Sequence, residues 1–228
     1  MKLAKQQVDI GLATNDVEPV VAFWQDKVGA KFDHVLPIRR GQDQHRHDLD
    51  GTVLKINHHQ APLPDRPASG YFELLVARDD CLEPVSLADP DGARVSIVPV
   101  GHRGVTQIGI RMKVRNLEAH RRFYRDALGL EAHETDEGLA VPAGRSLLLL
   151  EESPDAPADA DMEGRGWRYI TFQVFKVDED HARVLQAGGR EALAPVTLGT
   201  TARISMVRDP DGNWIELSQR ASIVGSLS

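Results

Sequence analysis

Two signatures recur in this chain in the same order, and that duplication limits its folds more than any other feature. Residues 23–30 read FWQDKVGA and residues 123–130 read FYRDALGL, while 87–98 read LADPDGARVSIV and 207–218 read VRDPDGNWIELS. Each aromatic-rich segment follows an alternating stretch, QQVDIGLA or VTQIGIRM. A succession encoded twice folds as repeated units that share one plan. The spacing is unequal. The aromatic segments lie 100 residues apart and the DPDG turns 120 apart, so the C-terminal half carries about twenty more residues between them. These follow YITFQVFKV as DEDHARVLQAGG, a helix with Ala182, Val184, Leu185 and Ala187 on its apolar side and Gly188-Gly189 as its stop.

Periodicity predicts the order βαβββ in each unit. Val8, Ile10 and Leu12 share one face of a strand over 7–13, and Asn15 or Asp16 caps a helix reaching about Val28. Strands follow near 31–38, 42–48 and 52–58. The C-terminal half repeats this with a strand over 105–114, a helix over 117–128 and strands near 130–134, 138–141 and 146–151. It then adds a strand over 168–175, a helix over 178–187 and strands near 190–194, 202–207 and 213–218. The N-terminal half runs from YFELLVAR almost directly to VSLADPDG and so lacks that helix and one strand. Residues 152–166, acidic and rich in Ala, Pro and Gly, read either as a connector or as a lid.

The 228 residues suffice for two units of ordinary domain size. A formal charge of -7 argues against a nucleic-acid partner, which needs a basic surface. No apolar run approaches the roughly 20 residues of a membrane span. No apolar leader precedes Asp9 and Cys81 is the one cysteine, so the expected location is the cytoplasm and no intramolecular disulfide forms.

The segment QHRHDLDGTVLKINHH, 44–59, reads as a hairpin. A three-residue loop ending on Gly51 places Asp48 opposite Thr52, His47 opposite Val53 and His45 opposite Lys55. His45, His47, Lys55 and Asn57 then share one face, with Leu54 and Ile56 on the other. Asp9 lies on the polar face of its own strand. Such a face is either a solvated exterior or a binding cleft, and the pattern alone leaves both open. His58 and His59 read as loop residues. Gln107, Arg111 and Lys113 alternate with Ile108, Ile110 and Met112, and Arg111 suits a bidentate carboxylate. Trp167 and Trp214 line either a pocket or the core.

From VTQIGI through FYRDALGLE, LLLLEE and YITFQV to RDPDGNWIEL, residues 105–219 resemble a vicinal oxygen chelate domain, the superfamily of glyoxalases, bleomycin resistance proteins and extradiol dioxygenases. Residues 6–99 resemble it more weakly through VDIGL, AFWQDKVGA and DPDGARVSI. The resemblance implies an α+β fold of repeated βαβββ modules, forming two cup-shaped mixed sheets with helices on the outer face. It divides the chain into an N-terminal domain, 1–101, with a truncated second module, a complete C-terminal domain, 102–220, and a tail, 221–228. It implies a cup holding a divalent metal (Zn, Ni, Mn or Fe) whose ligands come from first and last strands. Those positions fall on Gln107, Tyr169 and Glu216, and in the N-terminal half on Asp9, Ser96 and, less directly, Glu73. Lys55 stands where glyoxalases carry a glutamate, and it repels a dication.

Two functions follow. One is a metal-dependent lyase, isomerase or dioxygenase acting on a small oxygen-rich substrate. Gln107 and Glu216 would hold the metal, with His45, His47 and Asp9 as alternative ligands. His45, His47 and Lys55 would serve in catalysis, and Asp9, Asn57, Arg111 and Tyr169 in substrate binding. The other is a metal-free protein that binds or sequesters a small molecule. If the half-cups stay open, exposed strand edges favour a homodimer.

Overall fold

A computed structural model describes residues 1–225 and 227; Ser226 and Ser228 of the 221–228 tail lie outside the described residues. The first module is β1 (Asp9–Thr14), α1 (Val17–Asp26), β2 (Lys31–Arg39), β3 (Gln42–Leu49) and β4 (Thr52–His59). The second is β5 (Tyr71–Arg78), β6 (Val85–Ala88) and β7 (Arg94–Pro99), without the helix and fourth strand. The third is β8 (Ile108–Val114), α2 (Leu117–Arg122) running into a π-helical turn, β9 (His133–Thr135), β10 (Gly138–Ala143) and β11 (Ser146–Glu152). The fourth is β12 (Gly166–Gln173), α3 (Val177–Gln186), β13 (Arg190–Leu198), β14 (Ala202–Arg208) and β15 (Trp214–Arg220), followed by the short α4 (Ala221–Val224).

The modules pair across the repeat. The eight-stranded sheet runs β13-β14-β15-β12-β1-β4-β3-β2, joining the first module to the fourth, and the seven-stranded sheet runs β6-β7-β5-β8-β11-β10-β9, joining the second to the third. Antiparallel seams, β1 on β12 with Asp9 opposite Thr171 and β5 on β8 with Leu74 opposite Ile110, bind the halves together. Neither half builds a sheet of its own, so the boundary near residue 101 separates sequence repeats and not sheets. Pairing within the chain covers the inner edges of β1, β12, β5 and β8, while β13 and β2 remain the outer edges of one sheet and β6 and β9 those of the other.

One apolar cluster spans both sheets. It includes Ile10, Trp24, Leu54, Ile56, Ile110, Tyr124, Phe172 and Leu217. Trp24 and Trp167 meet edge-on in it, 5.4 Å between centroids, which makes Trp167 a core residue. Among the described residues no helix is long and apolar enough to cross a membrane.

The DPDG turns are built alike. Asp89 Oδ1 accepts from the amides of Asp91 and Ala93, Asp209 Oδ1 accepts from the Asn213 amide, and Gly92 and Gly212 take φ of 85° and 84°. Each turn is tied to a helix. Trp24 Nε1 donates to Asp89 Oδ2 at 3.2 Å, and His120 Nε2 lies 3.3 Å from Asp209 Oδ2. Burial lowers the pKa of His120, but Asp209, the Asn116 carbonyl and Asp211 outweigh it, and the net shift is upward. The stability this contributes is full below the ordinary histidine pKa, about 6.5, and is lost as pH rises through the raised folded value. Thermal melts should therefore show the wild type losing more stability between pH 6 and pH 8.5 than His120→Gln; equal losses would refute the pairing.

Candidate functional site: the cup of the eight-stranded sheet

The β3–β4 hairpin differs from its expected register by one residue. Its loop is the two residues Asp50 and Gly51, with φ of 54° and 84°, so Leu49 pairs with Thr52, Arg46 with Lys55 and Gln44 with Asn57. Two left-handed residues are the signature of a type I′ turn, which an Asp-Gly pair favours. A one-residue slip moves every side chain of β3 to the other face. His45 and His47 therefore leave the face of Lys55 and Asn57, and Gln44 and Arg46 take their places. His47 is fully buried beside α1, with its Nε2 at 3.1 Å from Gln25 Nε2 and its ring 5.6 Å from Phe32. His45 is partly buried on that same outer side, its ring 6.4 Å from His58. Burial is the first cause lowering the pKa of both, so they favour the neutral form.

The concave face encloses a cavity of about 690 Å³. On its floor Lys55 Nζ donates to Thr171 Oγ1 at 2.6 Å and to Glu216 Oε2 at 2.8 Å, and Thr171 Oγ1 donates to the same carboxylate oxygen at 3.0 Å. The ammonium also lies 5.1 Å from the centroid of the Tyr169 ring. Tyr169 lies flat over Gly11, where a Cβ would stand 2.2 Å from its Cε1. Its hydroxyl accepts from Gln44 Nε2 at 3.2 Å and from Asn57 Nδ2 at 3.3 Å. Burial first, and the Glu216 charge second, push the phenol well above its ordinary range, so it stays neutral.

Lys55, Asn57, Tyr169 and Glu216 thus come together in one cup. Asp9 lies beneath them, fully buried, with its carboxylate accepting from Lys5 Nζ at 2.5 Å, the Val53 amide at 2.8 Å and Gln173 Nε2 at 3.0 Å. Gln107 and Arg111 belong elsewhere, at the start of and within β8 of the other sheet. Arg111 holds Glu73 and, at 2.6 Å, Glu151, while Ser96 Oγ donates to Glu73 Oε1 at 2.6 Å. Leu75, Ala77, Val98, Val105 and Leu149 pack as a separate apolar cluster within that sheet. Gln107 accepts from Gln7 Nε2 through its Oε1 at 3.4 Å, whereas Glu216 lies on β15 of the eight-stranded sheet.

The sequence pattern did not reveal four other residues that line the cup: Arg46 from β3, His59 from the end of β4, Arg168 from β12 and Arg220 from the end of β15. His59 is held by strand pairing and by Asn15, whose Nδ2 donates to the carbonyls of His59 and Ala61. Arg168 donates to the carbonyls of Pro67 and Asp161, fastening two loops under the rim. Met162 and Glu163 bring the 152–166 segment to the mouth, where Glu163 meets Arg39 at 2.8 Å. That segment is anchored along its length by Arg115 to the Ala156 carbonyl and Trp214 to the Ala160 carbonyl.

The donor set does not suit a divalent metal. The position implied for a metal-facing glutamate holds an ammonium bonded to the one floor carboxylate, and a dication there would meet a like charge with no lone pair. Among the described residues no group of three or more His, Cys, Asp or Glu converges. The two-histidine, one-carboxylate set of a non-haem iron centre is likewise missing from the cup, whose one lining histidine, His59, is four residues along β4 from Lys55.

Residues 104–217 match the family model of the Glyoxalase/Bleomycin resistance protein/Dioxygenase superfamily. Nothing matches among curated proteins. Solved structures with the same fold include glyoxalase I from Zea mays, with a TM-score of 0.76 and 13% identity over 96% of this chain and 95% of that one. Its V278E mutant gives a TM-score of 0.78 and 14% identity, covering 97% and 96%. A putative dioxygenase from Bacillus subtilis subsp. subtilis str. 168 gives 0.69 and 12%, covering 95% and 86%. At these identities the likeness is one of fold.

Proposed function

The chain belongs to the Glyoxalase/Bleomycin resistance protein/Dioxygenase superfamily, and from that membership we propose that its eight-stranded cup binds a small, oxygen-rich anionic molecule without a divalent metal. One observation carries this reading: Lys55 Nζ sits on the cup floor, bonded to Thr171 and Glu216. An ammonium there supplies the positive charge that a metal would otherwise bring to a ligand oxygen. Asn57, Gln44 and Tyr169 form a connected polar wall that fixes the orientation of such a ligand.

A second reading is a metal-free lyase or isomerase, favoured by the pairing of Lys55 with the one carboxylate of the floor. Lys55 would stabilise an enolate-type oxygen and Glu216 would move the proton. In both readings the partner is a small molecule and the protein is cytoplasmic.

The test is elemental analysis of untagged protein beside Glu216→Ala and Lys55→Glu. The expected result is no stoichiometric metal in the wild type or in Glu216→Ala, and a gain of Zn or Ni affinity in Lys55→Glu, which replaces the ammonium by a second carboxylate. A stoichiometric metal in the wild type that disappears in Glu216→Ala would overturn the reading.

A further inference from the structure

The chain is acidic overall, at -7, yet five cationic side chains line the cup (Arg39, Arg46, Lys55, Arg168 and Arg220) against two carboxylates, Glu163 and Glu216. Lys55 gives two of its three N–H donors to Glu216 and Thr171 and keeps one for a ligand oxygen, but its charge is balanced by Glu216, as that of Arg39 is by Glu163, while Arg168 donates to backbone carbonyls. That leaves Arg46 and Arg220, and no carboxylate pairs with either among the described residues. Arg46 is 5% exposed; its Nη1 donates to Gln44 Oε1 at 2.7 Å, while its Nε is buried with no acceptor. A buried guanidinium without a counter-ion is costly, so this side chain is built to meet an anion. Arg220 faces the same space from the end of β15, where it pairs with Ala202. Burial and then the charge of Arg46 lower its pKa, and the charges of Glu216, Asp9 and Asp33 offset this only in part.

Beside them the cup turns apolar. Ile204 and Met206 lie on β14 opposite Ser218 and Glu216, and Leu193 and Leu198 on β13 extend this wall to one rim. Ile38 on β2 faces them from the other rim. Ile38, Leu193 and Leu198 are 45%, 40% and 48% exposed, so these rims leave large apolar side chains uncovered around a concave, positively charged floor.

We propose that the ligand is an amphipathic carboxylate, its head held by Arg46 and Arg220 and its apolar body lying between the β13–β14 wall and Ile38. This rests on the metal-free cup reading and narrows it to a ligand class. A planar carboxylate matches the guanidinium fork.

The test is calorimetric titration of the full chain with octanoate, octanamide, octyl phosphate and acetate. Wild type is compared with Arg46→Met, Arg220→Met and, as a surface control, Arg122→Met. Octanoate should bind best. Octanamide, and octanoate on either cup variant, should bind about tenfold to a hundredfold more weakly, the range expected for a lost charge-assisted hydrogen bond. Acetate should bind far more weakly, and Arg122→Met should match the wild type. Equal affinity for octanoate and octanamide, full binding by acetate, preference for octyl phosphate, or no binding at all would overturn the proposal. If Arg46→Met fails to fold, Arg220→Met and the ligand series still decide it. Binding that requires an added metal would overturn the metal-free reading, whereas tight metal-free binding of octanamide would sink only the carboxylate head.

Discussion

Lys55→Met should lower the stability of the protein by about 3–5 kcal/mol, the usual cost of leaving one member of a buried ion pair alone. For a chain of this size that corresponds to roughly 6–20 °C in the unfolding midpoint. The side chains of Lys55 and Glu216 are 4% and 11% exposed, so solvent does little to relieve the orphaned carboxylate. Thr171 cannot replace the ammonium, because one hydroxyl proton satisfies one lone pair while the charge remains. Glu216→Leu added to Lys55→Met should recover most of the loss, since an apolar pair of similar volume removes both desolvation penalties. A double-mutant cycle by denaturant unfolding reads this directly. A near-neutral Lys55→Met, or a double variant no better than the single one, would show that the ammonium does not hold Glu216 on the cup floor.

Residues 1–101 and 102–228, produced as separate polypeptides, should each fail to show a cooperative thermal transition or dispersed amide resonances. Each half contains two modules whose partners are in the other half. Alone it exposes the seam edges of β1 and β5, or of β8 and β12, and splits the cluster that holds Ile10 against Ile170 and Leu74 against Ile110. Mixing the halves should restore both signals. A cooperative melt from either fragment alone would mean that the repeats are domains in their own right.

The modules themselves were plain in the sequence. The repeated aromatic segments, the DPDG turns and the missing helix after YFELLVAR report local periodicity and turn chemistry, which a sequence carries openly. Which module pairs with which was not, because a seam such as β1 on β12 joins residues about 160 apart and no local pattern encodes it. This also explains why Gln107, at the first strand of the third module, and Glu216, on the last strand of the fourth, fall in different sheets. The hairpin register departs from the three-residue-loop expectation by a single position, although two signals for it lie in the sequence. Asp50-Gly51 favours a two-residue loop, and Leu49, which packs with Leu54 and Ile56, puts His47 and His45 on the core side by alternation. Lys55, Asn57, Tyr169 and Glu216 share one cup because the alternation of their own strands, and not that turn, sets which way they face.

The pairing of the first module with the fourth has a temporal side. Ribosomes make a chain from its N-terminus, and β1 and β4 emerge long before β12 and β15 can join them. Arg46, Lys55 and Asn57 wait as half a cup until Tyr169, Glu216 and Arg220 arrive. A nascent or prematurely ended polypeptide therefore has only part of the cup, and the proposed ligand would have no complete site until the last strand is made. Because its seams join residues about 160 apart, this topology is expected to fold slowly. A bound ligand, touching both ends of the sequence, would act as the clasp of a finished molecule.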